Sequence, residues 1–113
     1  MRTLCRICRI PAEAPSEQTL LAHRIDPDEA RTLRFFKGKG CPSCNTVGYR
    51  GRRAIFELIP ASSEVRSALE SGRSAEDIEQ AAAASGSITI RERCLALVRE
   101  GVTSFDEFAR LRL

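Results

Sequence analysis

Cys5, Cys8, Cys41 and Cys44 constrain this chain more than any other feature. They read C-x2-C, then thirty-two residues, then C-x2-C. Two residues between cysteines let two thiolates point at one ion. Two such pairs supply four soft ligands, which suits a closed tetrahedral site for Zn²⁺. The second pair sits in Gly40-Cys41-Pro42-Ser43-Cys44-Asn45. That is a tight-turn composition, which offers backbone N–H groups to the sulfurs. A disulfide framework goes with a secretory signal, and the basic, cysteine-bearing start is not one. A redox C-x-x-C usually comes once, before a helix in a βαβ unit. Iron in a rubredoxin-like S₄ site is the rival that spacing leaves open, since tetrahedral thiolates also suit iron. Zinc is the commoner outcome. His23 reads as a surface residue rather than a ligand, because four cysteines already fill a zinc shell.

A chain of 113 residues makes one domain or two very small ones. A metal would help the smaller half, since a short chain buries only a modest core. The net charge of +3 is unevenly spread. Residues 1–60 hold 11 Lys/Arg against 6 Asp/Glu, and residues 61–113 hold 7 against 9. Four thiolates on Zn²⁺ carry a formal charge of about −2. The basic excess near the cysteines therefore either offsets the site's own charge or forms a basic binding face. No apolar run approaches the roughly 20 residues of a membrane span. Reduced, metal-bound cysteines imply the cytoplasm.

In chain order, residues 3–10 read as a short strand turning at the first cysteine pair. Ser16 is a candidate N-cap, with Leu20, Leu21 and Ile25 as the apolar side of a short helix. Asp26-Pro27 reads as N-cap and N1 of a further turn through about Ala30. Leu33 to Phe36 reads as a strand entering the second knuckle, and 52–59 as a strand ended by Pro60. Ile55 and Phe56 cannot share a strand face, so both faces of that strand should be covered. From Ser62 the texture becomes helical. Ser74-x-x-Asp77 is a weaker capping box, whereas Thr89-x-x-Glu92 and Ser104-x-x-Glu107 match the S/T-x-x-E pattern fully. Each follows a glycine, Gly72, Gly86 or Gly101, suited to ending the preceding helix. Helices are predicted at 63–71, 75–85, 90–100 and 105–111. Ile90, Cys94, Leu97 and Val98 form one buried stripe, which makes Cys94 a buried apolar thiol. The fold class expected is α+β: a tetracysteine zinc-knuckle subdomain with a few short strands over 1–60, then a subdomain of about four short helices over 61–113.

The sequence lacks a G-x-x-x-x-G-K-[ST] phosphate loop, a G-x-S-x-G elbow and an H-x-x-x-H pair. Nothing in it argues for a catalyst.

The stretch Gly40-Cys41-Pro42-x-Cys44-x-x-x-Gly48-Tyr49-Arg50-Gly51-Arg52-x-x-Ile55-x-Glu57-Leu58 closely resembles the C-terminal part of the motor ATPases of type II secretion and type IV pilus assembly. Cys5-x-x-Cys8 fits that family's first metal pair. Gly72-Arg73-Ser74, Thr89-Ile90-Arg91 and Glu100-Gly101-Val102-Thr103-Ser104 fit its tail, so the resemblance covers nearly the whole chain. Ala54 stands where the family usually has glycine, and Gly86-Ser87-Ile88 departs from its usual Gly-Met. The resemblance implies a RecA-like core with Walker motifs upstream, hexameric rings, and ATP and Mg²⁺ bound only in that core. This chain then reads as an excised, non-catalytic C-terminal domain. The partners implied are neighbouring ring subunits and inner-membrane platform or adaptor proteins. The place implied is the cytoplasmic side of the inner membrane, reached through the parent complex. Arg50, Arg52 and Arg53 are the candidate contact surface, unless they pair with the knuckle and with Glu57. Without the resemblance, the alternative is a zinc-ribbon nucleic-acid module. Lys37, Lys39, Arg50, Arg52 and Arg53 would supply its basic patch, and Phe35, Phe36 and Tyr49 its stacking platforms.

Overall fold

The computed structural model describes residues 1–111. Among them are four short strands and six α-helices, an α+β chain. Strand β1 (Arg2–Leu4) pairs antiparallel with β4 (Tyr49–Arg52), with a register shift between Arg2 and Leu4. Strand β2 (Arg9–Ala12) pairs antiparallel with β3 (Phe35–Gly38). Cys5–Cys8 links β1 to β2, and the second cysteine pair lies between β3 and β4. The two ribbons thus exchange strands across the two knuckles. That exchange brings backbone against backbone at Gly38 and Gly48. A Cβ on Gly38 would lie 2.1 Å from the Gly48 carbonyl oxygen, and one on Gly48 would lie 2.7 Å from that of Gly38. Gly48 also has φ of +80°. Only glycine meets both demands at once.

The insert between the knuckles follows its sequence signals. Ser16 caps α1 (Glu17–Ala22), accepting from the Thr19 N–H. Asp26 caps α2 (Pro27–Ala30), with proline at the first helical position. Leu20, Ile25 and Ala30 are buried, while Leu21 turns outward. His23 is half-buried rather than on the surface. Its ring meets Phe105 edge-on at 5.6 Å and lies 6.0 Å from Phe108. Apolar neighbours from the end of the chain claim it, which a helix read alone does not reveal. Strand β3 begins at Phe35, two residues later than Leu33.

The helical segments are α3 (Ser63–Glu70), α4 (Ala75–Ala84), α5 (Ile90–Arg99) and α6 (Phe105–Arg110). The weaker Ser74–Asp77 box closes in both directions, as does Thr89–Glu92. Ser104–Glu107 does not. Ser104 accepts from the Glu107 N–H, but the Glu107 carboxylate turns to Arg2 and Arg110 instead of returning to the cap.

Two compact units result, residues 1–55 with 94 onward, and residues 56–93. This grouping differs from a cut after residue 60, because the end of α5 and all of α6 join the cysteine half. The reason is a set of long-range bonds. The Leu4 N–H donates to the Val102 carbonyl at 2.8 Å, Thr103 Oγ1 to the Arg2 carbonyl at 2.8 Å, and Arg9 to the Gly101 carbonyl at 2.8 Å. Phe35, Phe105 and Phe108 form edge-on and tilted ring pairs in the same unit. Cys94 is fully buried there, as its stripe predicts.

The second unit holds α3, α4 and the first turn of α5, with Val65, Ala68 and Ala82 buried. The strand expected over 52–59 is not formed. Strand β4 ends at Arg52, and residues 53–59 take neither helix nor strand. Phe56, Leu58 and Ile59 are 64%, 67% and 43% exposed and Ile55 is half-buried, so the stretch is largely uncovered. Its apolar pattern is strand-like, but no described strand pairs with it.

Candidate metal centre

Each knuckle delivers two sulfurs because a short turn reverses the chain between them. In the first, the Cys8 N–H donates back to the Cys5 carbonyl at 3.3 Å. In the second, a 3₁₀ turn (Pro42–Cys44) does the same work, with proline at its start. Asn45 and Thr46 then adopt left-handed backbone, φ +51° and +64°, and so does Gly40 at +91°. Asparagine tolerates that region, but a β-branched threonine there is an outlier. The Thr46 N–H is held by the Cys41 carbonyl at 2.9 Å, which fixes the turn. The two knuckles are tied by the Cys5 N–H to the Gly48 carbonyl and by the Lys39 N–H to the Cys8 carbonyl, both 2.9 Å.

The four Sγ atoms lie within 4.8 Å of one another. Cys5 to Cys41 and Cys8 to Cys44 are 3.8 Å, and Cys41 to Cys44 is 3.7 Å. A disulfide needs about 2.05 Å. A tetrahedron with metal–sulfur bonds of about 2.3 Å has edges of about 3.8 Å. The observed separations match that edge, so the four sulfurs could hold one metal ion. Cys5, Cys8 and Cys44 are buried and Cys41 is half-buried.

The electrostatics point the same way. Burial is the largest influence on Cys8 and Cys44, and it opposes ionisation at both. At Cys8 burial prevails over an N–H bond from Gly40, and the neighbouring sulfurs add to it, so the thiol is pushed up to about 12. At Cys44 the backbone N–H groups of Cys41 and Gly48, each 3.3 Å from the sulfur, prevail and bring it down to about 6. Four adjacent thiols cannot all ionise without a cation between them. The backbone donors nevertheless stand ready for thiolates. Such N–H bonds to sulfur are what a thiolate–metal site needs around its ligands.

The arginines of the candidate surface lie on and just beyond β4, and all three are exposed. Arg50 donates to Ser43 Oγ in the second knuckle. Among the described residues, no side-chain hydrogen bond or ion pair engages Arg52 or Arg53. Glu57 does not pair with them, because its carboxylate accepts from the Ile90 N–H at 3.1 Å. The aromatic platforms needed by a nucleic-acid module are occupied. Phe35 is buried, Phe36 lies beneath Arg9, and Tyr49 lies beneath Arg2 with its hydroxyl bonded to Ser104.

One polar cluster escaped the sequence reading. The fully buried Glu107 accepts from the Arg2 N–H at 2.9 Å and pairs with the guanidiniums of Arg2 at 2.7 Å and Arg110 at 3.0 Å. Burial alone would raise its pKa. The bonds from Arg110 and Arg2 outweigh burial and hold the carboxyl at about 2. Arg110 stands three residues from Glu107 and could have been suspected. Arg2, 105 positions away, could not.

Four cysteine sulfurs on two knuckles, set between two-stranded antiparallel ribbons, form a site that could hold one metal ion. Comparison with known proteins makes this specific. The family model described as Type II/IV secretion system protein matches residues 1–110, and the chain belongs to that family. It is similar to the type IV pilus assembly ATPase PilB of Thermus thermophilus, 35% identical over 107 residues. It is also similar to the type II secretion system ATPase E of Vibrio cholerae, 35% identical over 111 residues, and to the type II secretion system protein E of Dickeya dadantii, 38% identical over 114. These matches take in 95%, 98% and 98% of this chain, but only 12%, 21% and 21% of the respective relatives. The chain thus corresponds to a small part of each relative.

Proposed function

We propose that this chain is a structural, zinc-binding C-terminal domain of a hexameric motor ATPase that powers type II secretion or type IV pilus assembly. The observation that carries the proposal is the set of tetrahedral sulfur separations in a chain of this family. Cys5, Cys8, Cys41 and Cys44 would hold the ion. Bound there, Zn²⁺ supplies a cross-link between the two knuckles rather than a reactive water, because four protein ligands leave no open position. The N–H groups of Gly40, Cys41 and Gly48 orient and stabilise the thiolates. ATP and Mg²⁺ belong to the nucleotide-binding core of the longer motor, and the domain alone is non-catalytic.

Its partners would be neighbouring ring subunits, with inner-membrane platform or adaptor proteins as further candidates. The working place is the cytoplasmic side of the inner membrane. No helix in the described residues is long and apolar enough to cross a membrane. Exposed Phe56, Leu58 and Ile59 offer apolar surface of the kind a domain buries against the rest of a motor. Arg50, Arg52 and Arg53 offer a second, basic surface. Elemental analysis of chain purified without added metal tests the reading, with one zinc per chain expected. Iron, or paired thiols without metal, would refute it. Calorimetry with millimolar ATP is expected to show no saturable binding to the isolated chain.

A further inference from the structure

The two knuckle tips carry apolar side chains that the fold leaves in solvent. Ile7, between the first pair of cysteines, is 70% exposed, and Val47, just after the second pair, is 59% exposed. They flank one sulfur cluster, since the residue after Val47 accepts the Cys5 N–H through its carbonyl. Ile7 shares a groove of about 410 Å³ with Leu4, Cys5 and two arginines, Arg6 and Arg50. One N–H of Arg50 is used on Ser43, which leaves the remainder of a five-donor fork available. Between residues 30 and 56 the chain has seven Lys/Arg and no Asp/Glu. Of these, Lys37, Lys39, Arg50, Arg52 and Arg53 are exposed on or beside the ribbons. No guanidinium or ammonium bond to a cysteine sulfur is seen among the described residues. The basic surplus therefore faces solvent rather than the sulfurs.

We propose that the knuckle tips form a binding surface for an anionic lipid bilayer, with Arg6 and Arg50 taking a headgroup phosphodiester and Ile7 and Val47 entering the interfacial layer. Two separated apolar tips are too small for a stable protein interface, which covers about 800 Å² per partner. A fluid bilayer needs no shape complementarity. It rewards apolar side chains at headgroup depth within a basic surround. Aromatic stacking, which single-stranded nucleic acid would use, is blocked because Phe35, Phe36 and Tyr49 are engaged. The surface deepens the basic contact face proposed above by naming its partner chemistry. Its test is independent of the ring, because it uses this chain alone.

The experiment is co-sedimentation of the zinc-loaded chain with vesicles of equimolar phosphatidylglycerol and phosphatidylcholine, and with phosphatidylcholine alone. Zinc content and far-ultraviolet dichroism are checked for every variant. Binding to the anionic vesicles and not to the neutral ones is expected. Arg6→Gln with Arg50→Gln should weaken it on the order of 25-fold, about fivefold per arginine. Ile7→Ser with Val47→Ser, which keeps the charge, should weaken it on the order of tenfold. Arg66→Gln with Arg73→Gln makes the same charge change elsewhere and should have little effect. Absence of binding to anionic vesicles would overturn the proposal. So would equal losses from the two arginine pairs, no loss from the apolar pair, or full displacement by millimolar inorganic phosphate, which would mark a small-anion site.

Discussion

The unit of residues 1–55 and 94–111 and the unit of residues 56–93 are held by different kinds of bond. In the first, strand β1 is tied to Val102, Thr103 and Glu107 by hydrogen bonds and an ion pair spanning about a hundred positions. Its cysteines close loops over the helical insert. In the second, most side-chain bonds among the described residues join residues within five positions of one another: Ser62 with Val65, Arg66 with Ala61, Ser74 with Asp77, Thr89 with Glu92. Contacts that close long loops carry a larger ordering cost and need a stronger link to offset it. A metal held by Cys5, Cys8, Cys41 and Cys44, as proposed, would be such a link, and the four sulfurs sit in the unit that needs one. The first unit is therefore where this chain should fail when the link is removed.

The largest expected effect tests that assignment directly. Cys44→Ser removes the sulfur with the most backbone N–H bonds and leaves three ligands. Structural zinc contributes roughly 10–16 kcal/mol in peptide sites, comparable to a domain's entire stability of about 5–15 kcal/mol. Amide exchange should show residues 1–55 and 94–111 losing protection first, with α3 and α4 retaining theirs longer. Removal of metal by a strong chelator should give the same order. Simultaneous loss in both units would mean that they fold as one.

A pair of glycines, one in each unit, differs in the same way. Gly48 and Gly72 both have left-handed backbone, φ +80° and +62°. Gly48 is pressed against Gly38, whereas an added Cβ on Gly72 would meet nothing within 4 Å. Gly72→Ala should therefore cost only the left-handed conformation, about 1–2 kcal/mol. Gly48→Ala carries that cost and a clash between two backbones, and should exceed about 3 kcal/mol with weakened metal binding. Urea denaturation and a competitive zinc chelator measure the two quantities. Equal costs would show that the ribbon crossing relaxes easily.

Glu107 supplies a third, pH-dependent test in the first unit. Its carboxyl is held at about 2 against an ordinary 4.5. A depressed carboxylate contributes stability above its unfolded pKa and loses it as pH falls through the folded value. The contribution is thus full above about pH 4.5 and declines between there and about 2. Glu107→Gln should destabilise the chain at pH 7 by about 3 kcal/mol, the low end for breaking a buried pair, because Arg2 and Arg110 can reach water. The gap to the wild type should narrow as pH drops below 4.5. A gap independent of pH would mean that packing, not charge, is what Glu107 provides.

These residues also show what the sequence could and could not reveal. The cysteine spacing, the caps at Ser16, Asp26 and Ser74, the Cys94 stripe, the helical texture from Ser62, and the hydroxyl-and-glycine punctuation at Gly72, Thr89, Gly101 and Ser104 are local signals, and the helices were legible from them. The Ser104-x-x-Glu107 motif placed α6 and its cap correctly, but the return bond of the box is absent because a distant Arg2 takes the carboxylate. His23 and Gly38 acquire their roles only from Phe105 and Gly48, which no local pattern announces. The apolar run 55–59 reads as a strand, but a strand forms only where another is available to pair. The site's four sulfurs were legible because metal spacing is a local constraint imposed twice. The N–H groups that serve them, and the left-handed Asn45–Thr46 turn, depend on the folded path.

The smallest effect is the most discriminating control. Ser74 accepts the Asp77 N–H at 3.2 Å, and its own N–H and hydroxyl reach the Asp77 carboxylate at 3.3 and 2.9 Å. Every bond in this cap lies within one turn of the second unit, and all of it is exposed. Ser74→Ala should cost about 1 kcal/mol, the usual value for losing a cap. The loss should appear in the exchange rates of α4 and leave the first unit's protection and zinc affinity unchanged. A matching loss in the first unit would show that α4 is coupled to the metal centre through the chain. The contrast between a locally held and a distantly held unit would then give way to a single cooperative fold.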